Sequence, residues 1–352
     1  MDSVAIVGGG PAGSACALQL ARAGIDVTVF ERSQFPRVKV CGEYLNSGAI
    51  AALETLSLAD RVRPHAWPLR GIRLRSRDDE VELRFSAPAW SIARSELDSL
   101  LLDSAREAGA RVVTAQVEDV RLHSDHISVQ FRDSSGVEQM LSAAWIVGAD
   151  GIGSLVARKT GLSASARGAA RFALGGHYRG FGALNGFIEM YVHRQTYFAI
   201  NPLDSQIANV MVVVNAADLE RWRGAVDEHL SEAAAELGAG RRSFAGVERI
   251  GKRVAVGPLD HRTRALYRPR VLLIGDAAGF VDPFTGQGVM LALQSAVAGA
   301  NAILQSNPRR YAFSHGRRIA GRRALGAVVK LLTRAPSAGV PLAPSLMKWI
   351  TK

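Results

Sequence analysis

The sequence predicts an α/β fold in which a parallel, nucleotide-binding sheet carries an inserted antiparallel-sheet (α+β) region. Three observations predict it. The chain opens on a β-α-β pattern whose first turn, Gly8-Gly9-Gly10-Pro11-Ala12-Gly13, matches G-x-G-x-x-G. Two later apolar runs, Trp145-Ile146-Val147 and Val271-Leu272-Leu273-Ile274, lead into Gly148-Ala149-Asp150-Gly151 and Gly275-Asp276. Between them, residues 165–258 change to the patterns of an antiparallel sheet.

Each element has a local reason. Val4-Ala5-Ile6-Val7 is β-branched and apolar, hence a buried strand. A helix over 14–22 and a strand over 26–30 follow, and the strand ends on Glu31. Gly8 allows the tight turn, Gly10 lets the backbone approach a pyrophosphate, and Gly13 lets helix and strand pack closely. The helix N-terminus offers free N–H groups to phosphates, and Glu31 can accept hydrogen bonds from ribose hydroxyls. Residues 32–48 read as a loop punctuated by Pro36, Gly42 and Gly48. Strict alternation marks strands over 72–75 and 81–85, and an amphipathic helix covers 95–108, ending at Gly109. Strands over 112–113 and 127–131 precede the turn Asp133-Ser134-Ser135-Gly136. In the inserted region strands are expected over 172–178, 187–192, 197–200, 207–214, 246–250 and 252–256. Leu219, Trp222, Val226, Leu230 and Leu237 mark a long surface helix. A glycine-punctuated helix is expected over 286–304.

The 352 residues are 48% hydrophobic and 21% charged, the balance of a soluble globular protein with an ample core. Two cysteines, Cys16 and Cys41, imply no disulfide framework and suit a reducing cytoplasm. The apolar start lacks a basic segment and is broken by glycines and a proline, unlike a signal peptide. No apolar run is long enough to cross a membrane. The eight histidines show no metal-ligand spacing, so no metal is expected, and lone His177 and His193 read as structural. The net charge is +11, and no acidic residue follows Asp282, whereas ten Lys and Arg residues do. Such a tail is either a solvated face or a surface for an anionic membrane or acidic protein. No nucleic-acid motif is present.

Gly148-Ala149-Asp150-Gly151-Ile152-Gly153-Ser154 and Val271-Leu272-Leu273-Ile274-Gly275-Asp276-Ala277-Ala278, with the N-terminal fingerprint, resemble three ordered motifs of one flavoprotein superfamily. It holds aromatic hydroxylases, flavin halogenases and geranylgeranyl reductases. The resemblance implies a Rossmann-type FAD-binding domain with an inserted antiparallel-sheet substrate domain. The expected FAD domain is 1–70, 95–164 and 265–306, the substrate domain 71–94 and 165–264, and the basic helical tail 307–352.

The resemblance also implies site residues. Asp276, after Gly275, would hold the ribityl or ribose part of FAD, and Asp150 would sit by the pyrophosphate. Arg94 matches a position that touches FAD. Pro283-Phe284-Thr285-Gly286-Gln287-Gly288 resembles the loop over the flavin ring. Phe35-Pro36-Arg37-Val38-Lys39-Val40-Cys41-Gly42-Glu43 resembles the K-x-C-G segment of the geranylgeranyl reductase branch, whose cysteine lies near the flavin. Lys39, Cys41 and Gly42 therefore join Gly8, Gly10, Pro11, Ala12, Gly13, Glu31 and Arg32 as expected cofactor residues. Cys41 is the candidate catalytic group, either a proton donor or redox partner, or else a small residue packed by the loop. Arg37 and Lys39 would lower its pKa if close. Where that branch has Y-x-W-x-F-P, this chain has Tyr197-Phe198-Ala199-Ile200-Asn201-Pro202. Tyr197, Asn201 and Pro202 are thus expected on the substrate side, but the lost Trp and Phe count against a prenyl chain. The halogenase W-x-W-x-I-P segment is absent, which counts against halogenation.

The functional expectation is an FAD-dependent monooxygenase acting through a flavin hydroperoxide, with NADH or NADPH as electron donor, directly or through a partner reductase. Its substrate would be hydrophobic, free or tethered to a carrier protein. The alternatives are reduction of a carbon–carbon double bond and, from another class, a flavin-bearing docking protein. The expected setting is cytoplasmic, with an acidic carrier or an anionic membrane surface as partner and no nucleic acid.

Overall fold

The computed structural model describes residues 3–75, 80–165, 170–193, 196–224, 232, 244 and 246–334. The first half runs β1 (Ser3–Val7), α1 (Pro11–Arg22), β2 (Asp26–Glu31), β3 (Tyr44–Leu45), α2 (Ser47–Thr55) and α3 (Ala59–Val62). It continues with β4 (Trp67–Pro68), β5 (Gly71–Arg75), β6 (Glu80–Arg84), β7 (Trp90–Ser91), α4 (Arg94–Glu107) and β8 (Arg111–Leu122). A meander of β9 (Ile127–Asp133) and β10 (Glu138–Ala143) leads to β11 (Trp145–Gly148). After α5 (Leu155–Lys159) and β12 (Ser163–Ala164) come the long strands β13 (Arg171–Arg179), β14 (Phe187–His193), β15 (Thr196–Pro202) and β16 (Ile207–Asn215). Then follow α6 (Leu219–Gly224), β17 (Glu248–Val256), β18 (Arg262–Thr263), β19 (Tyr267–Arg268), β20 (Val271–Leu273), α7 (Gly288–Leu304) and α8 (Pro308–Arg334).

Two sheets organise the molecule. The first has the order β10-β9-β8-β2-β1-β11-β20-β19, parallel from β8 to β20 and antiparallel at both ends. Its central strands are buried on both faces, which is why they read as unbroken apolar runs. Ala5, Ile6, Val29, Ile146, Val147, Leu272 and Leu273 are fully buried there. The helix expected to start at residue 14 starts at Pro11, whose missing N–H suits a first helical turn. Gly13 has no room for a side chain: a Cβ would lie 1.8 Å from the Gly8 carbonyl oxygen.

The second sheet has the order β17-β13-β16-β15-β14-β5-β6. It is antiparallel except for the β14–β5 pair. Its two faces are both apolar. Leu174, Tyr191, Phe198, Val210, Val212, Leu219 and Trp222 form a cluster on one face. Ala173, Met190, Tyr197, Met211 and Val213 form another on the opposite face. Leu219 and Trp222 of the expected surface helix are therefore a lid on one face, while Val226, Leu230 and Leu237 lie outside the described residues.

Two expectations are corrected. The strands expected over 246–250 and 252–256 are one strand, β17, whose register shifts against β13 between Gly175 and His177. The extra residues are absorbed as a bulge, so the glycine does not end the strand. The helix expected from residue 286 begins at Gly288, because Pro283–Thr285 forms a separate tight turn ended by left-handed Gly286. The basic tail is docked over its first half. Tyr311, His315 and Ile319 of α8 are buried, the Tyr311 hydroxyl donates to the Leu273 carbonyl at 2.7 Å, and Arg323 donates to the Phe280 and His261 carbonyls. Residues 335–352, and the side chains of Leu325, Val328, Val329, Leu331 and Leu332, lie outside what is described.

Candidate functional site

A cavity of about 580 Å³ runs from the first turn of α1 to the second sheet. At one end Gly10, Pro11, Ala12, Arg32, Lys39 and Asp150 line it. In the middle lie Cys41, Gly42, Arg94, Gly275 and Asp276, and Pro283, Gly286 and Gly288 close one side. Tyr197 and Asn201 reach it from the sheet. Elements far apart in sequence thus bring most of the expected site residues to one place. Five stand behind the wall. Gly8 and Gly13 shape the turn. Pro202 accepts from the Ser91 hydroxyl, and Gln287 is the buried residue preceding α7. Glu31 braces the glycine loop, accepting from the Gly9 and Ser33 N–H groups at 2.8 and 2.9 Å.

The polar end is built for an anion. Gly10 leaves open space: a Cβ there would meet only the Arg37 guanidinium, at 3.5 Å. The start of α1 directs its free N–H groups toward that space. Lys39 is an exposed residue that lines the cavity. Desolvation, together with the charges of Arg94 and Arg37, lowers its pKa, which Asp276 and Asp98 oppose. Desolvation raises the Asp276 carboxyl, against the pull of Lys39, Arg94 and His261. Asp150 uses Oδ2 to accept from the Leu155 and Val156 N–H groups at 2.6 and 3.2 Å. Its Oδ1 is buried with no partner in the protein.

The charge beside Cys41 differs from expectation. Arg37 is engaged by Asp98 at 3.3 Å and Glu31 at 3.6 Å. The cation beside Cys41 is Arg94, whose guanidinium forms a two-pronged pair with Asp98 at 2.7 and 2.8 Å. Burial of Arg94 disfavours its charge, and Asp98 and Cys41 more than offset this. Cys16, by contrast, is fully buried, and desolvation pushes its thiol up to about 12.

The apolar end is laid out in rows across the second sheet. Ala173, Val213 and Tyr197 face one another on β13, β16 and β15, with Val256 beyond Ala173. The next row carries Met211 and Ala199, flanked by Val254 and Met190. Residues two apart share a face, so both rows look into the cavity. Tyr197 packs edge-on against Phe284, and its hydroxyl lies 3.4 Å from Asp282. Desolvation and the Asp282 charge keep that phenol protonated, against Arg171.

The sequence reading gave Glu43 and Asn209 no role and took His177 as structural, which its bond to Glu43 fits. The Glu43 carboxylate accepts from the Arg94 N–H at 2.7 Å and lies 2.8 Å from His177 Nε2. Asn209 donates to the Cys41 carbonyl at 2.7 Å. The available signal was a polar residue interrupting two apolar strands.

The FAD binding domain family matches residues 1–305. The chain belongs to this FAD-binding family. The 1H-pyrrole-2-carbonyl-peptidyl-carrier-protein brominase of Pseudoalteromonas luteoviolacea is 26% identical over 322 residues, 86% of this chain and 77% of the relative. The menaquinone reductase of Mycolicibacterium smegmatis is 28% identical over 311 residues, 83% of this chain and 74% of the relative. The digeranylgeranylglycerophospholipid reductase 1 of Methanothermobacter thermautotrophicus is 27% identical over 304 residues, covering 82% and 73%. Among solved structures, the flavin-dependent halogenase CmlS superposes with a TM-score of 0.82 at 28% identity. That match covers 92% of this chain and 62% of CmlS. The flavin-dependent brominase Bmp2, at 23% identity, superposes with a TM-score of 0.85 over 99% of this chain and 92% of its own, and shares the fold. The superfamily and the Rossmann-type α/β class expected from the motifs are those found.

The residues present fit FAD. The open Gly10 cradle, the helix N-terminus and Lys39 suit a diphosphate, and the unpartnered Asp150 Oδ1 awaits a donor. Among the described residues no cluster of His, Cys, Asp or Glu could hold a metal ion, and no helix is long and apolar enough to cross a membrane.

Proposed function

We propose that this FAD-dependent oxidoreductase is a monooxygenase of an apolar organic substrate. The carrying observation is the pair of apolar rows, from Ala173 to Tyr197 and from Met211 to Ala199, that face the cavity opposite Gly286 and Asp276. Bound FAD supplies electrons from NADH or NADPH and activates oxygen. Gly10, Pro11, Ala12, Arg32 and Lys39 would hold its diphosphate and adenosine side. Arg94, Asp150, Gly275 and Asp276 would hold the sugar chain, and Pro283, Gly286 and Gly288 the ring. Glu31, Gly8, Gly13 and Gln287 act from behind. The rows exclude water from the reacting face. They offer an aliphatic or aromatic body no charge, and the two methionines let the wall adapt.

The Tyr197 and Asn201 positions favour no prenyl-specific contact, but Cys41 supports a second reading. Its thiol lines the cavity beside a fixed guanidinium, an arrangement that suits delivery of a proton during double-bond reduction. One experiment separates the two. The reduced protein is mixed with an apolar phenol or an apolar alkene under labelled oxygen. Label in the product supports oxygenation. A saturated, unlabelled product, lost in Cys41→Ser with FAD retained, replaces it with reduction.

The brominase relative acts on a carrier-bound pyrrole, and a carrier-tethered substrate is part of this proposal. The exposed Arg309, Arg310, Phe313 and Arg317 on α8 give an acidic carrier, or an anionic membrane surface in the cytoplasm, a place to dock.

A further inference from the structure

Three neighbouring strands of the second sheet place one polar side chain each in a single row. His177 on β13 pairs with Asn209 on β16, and Asn209 pairs with Asn201 on β15. The next two rows on this face are the apolar ones that line the cavity. Buried polar groups are costly unless hydrogen-bonded, and all three are bonded to one segment, residues 41–43. Asn209 donates to the Cys41 carbonyl at 2.7 Å. Asn201 donates to the Gly42 and Glu43 carbonyls at 2.8 and 3.0 Å. His177 Nε2 lies 2.8 Å from Glu43 Oε2.

Glu43 is the centre of this fastening. Its backbone is left-handed, φ 54°, a conformation a glutamate keeps only where its surroundings over-determine it. Its second carboxylate oxygen accepts from Arg94 N–H at the start of α4. Its own N–H donates to the Cys41 sulfur at 3.3 Å. The carboxylate thus joins the second sheet, the first helix turn beside the dinucleotide site, and the loop that carries the thiol.

We infer that Glu43 and His177 are positioning residues that fix the Cys41 sulfur at the cavity wall, and that the proton held between them sets how firmly the loop is fastened. This goes beyond the oxidoreductase reading and holds for either reaction. Glu43 is the charged group facing His177 from the loop. Asn209, beside it on β16, is neutral. On β17 its partner is Ile250, and Arg249 belongs to the opposite face, paired with Tyr178. Desolvation works to lower the His177 pKa, and the hydrogen bond and charge of Glu43 outweigh it. Below that raised pKa the fastening is an ion pair; above it, a neutral hydrogen bond.

The test is the rate at which iodoacetamide alkylates Cys41 in the full-length folded protein, with FAD bound and with FAD removed, read by peptide mass spectrometry. Buried Cys16 reports unfolding in the same sample. His177→Phe and Glu43→Ala should each speed Cys41 alkylation roughly tenfold or more, the scale of losing a hydrogen bond to a charged group. The double variant should be no faster than either single one. His177→Gln, which keeps a neutral hydrogen bond, should restore a rate near that of the wild type. It should also lose the extra acceleration that the wild type shows as pH rises above 6.5. Single variants within twofold of the wild type, or effects that multiply in the double variant, overturn the proposal. Should Cys16 label in the Phe or Ala variant, the Gln variant decides alone: a pH profile identical to the wild type overturns it.

Discussion

Gly10 and Gly13, three positions apart, should fail in different ways when given a side chain. A Cβ at Gly13 would sit 1.8 Å from the Gly8 carbonyl oxygen and 3.2 Å from Ala149 Cβ. The first contact is far inside any permitted approach, so α1 must move off β1. Gly13→Val should therefore yield insoluble or unfolded protein. A Cβ at Gly10 meets only Arg37 Nη2 at 3.5 Å, an ordinary contact. Gly10→Val should fold, with a melting temperature near that of the wild-type apoprotein. Its methyl groups enter the cavity where the α1 N–H groups face the diphosphate. Each charged hydrogen bond lost there costs about 1.5–3 kcal/mol, or roughly 10- to 100-fold in Kd. Two lost contacts place FAD binding at least about a hundredfold weaker. The assay is FAD titration by flavin fluorescence, beside differential scanning of both apoproteins. A folded Gly10→Val protein that binds FAD with wild-type affinity refutes the reasoning. So does a Gly10→Val protein that unfolds like Gly13→Val, because the effect would then be one of folding.

Three further outcomes are expected. Ala199→Trp places a large ring in the apolar rows between Met211 and Met190, so turnover of bulky apolar substrates should fall while FAD affinity stays within twofold; weakened FAD binding would show that the rows are not a separate substrate wall. His315, stacked on Tyr311, is buried, and desolvation together with the Arg318 charge lowers its pKa from 6.5 to about 4. The unfolded chain therefore binds the proton first. Stability should drop by about 3 kcal/mol as pH falls from about 6.5 to about 4. His315→Gln should remove that part of the drop in urea titrations, and an unchanged pH slope would refute it. The exposed arginines of α8 should bind an acidic carrier protein or anionic vesicles at low salt and release them near 0.5 M, since screening shortens the range of exposed charges to a few ångströms. Salt-independent binding, or none at any salt, would remove the docking role.

The sequence alone determined the central strands of the first sheet and the glycine turn after β1. Its parallel strands are buried on both faces, so their apolar runs are continuous; Gly8 has a positive φ of 104°, Gly13 lies against the Gly8 carbonyl, and Gly10 leaves open space at the cavity. Asp150 and Asp276 were named from the resemblance of the Gly148-Ala149-Asp150-Gly151 and Gly275-Asp276 segments, each of which follows such a strand. The second sheet was legible as strands, yet not in its pairing. Val210-Met211-Val212-Val213-Val214 is apolar at every position, so period-2 alternation could not say which residues face the cavity. Register decides that, and register is a long-range property: it set Met211 with Ala199 and Val213 with Tyr197. The same register brought His177, Asn209 and Asn201 into one row beneath a loop some 130 residues or more earlier in the chain. Arg37 lies nearer Cys41 in sequence than Arg94 does, but the carboxylates Asp98 and Glu31 claim Arg37 and the first turn of α4 turns Arg94 to the thiol. Charge pairing across space, rather than distance along the chain, chose the thiol's neighbour.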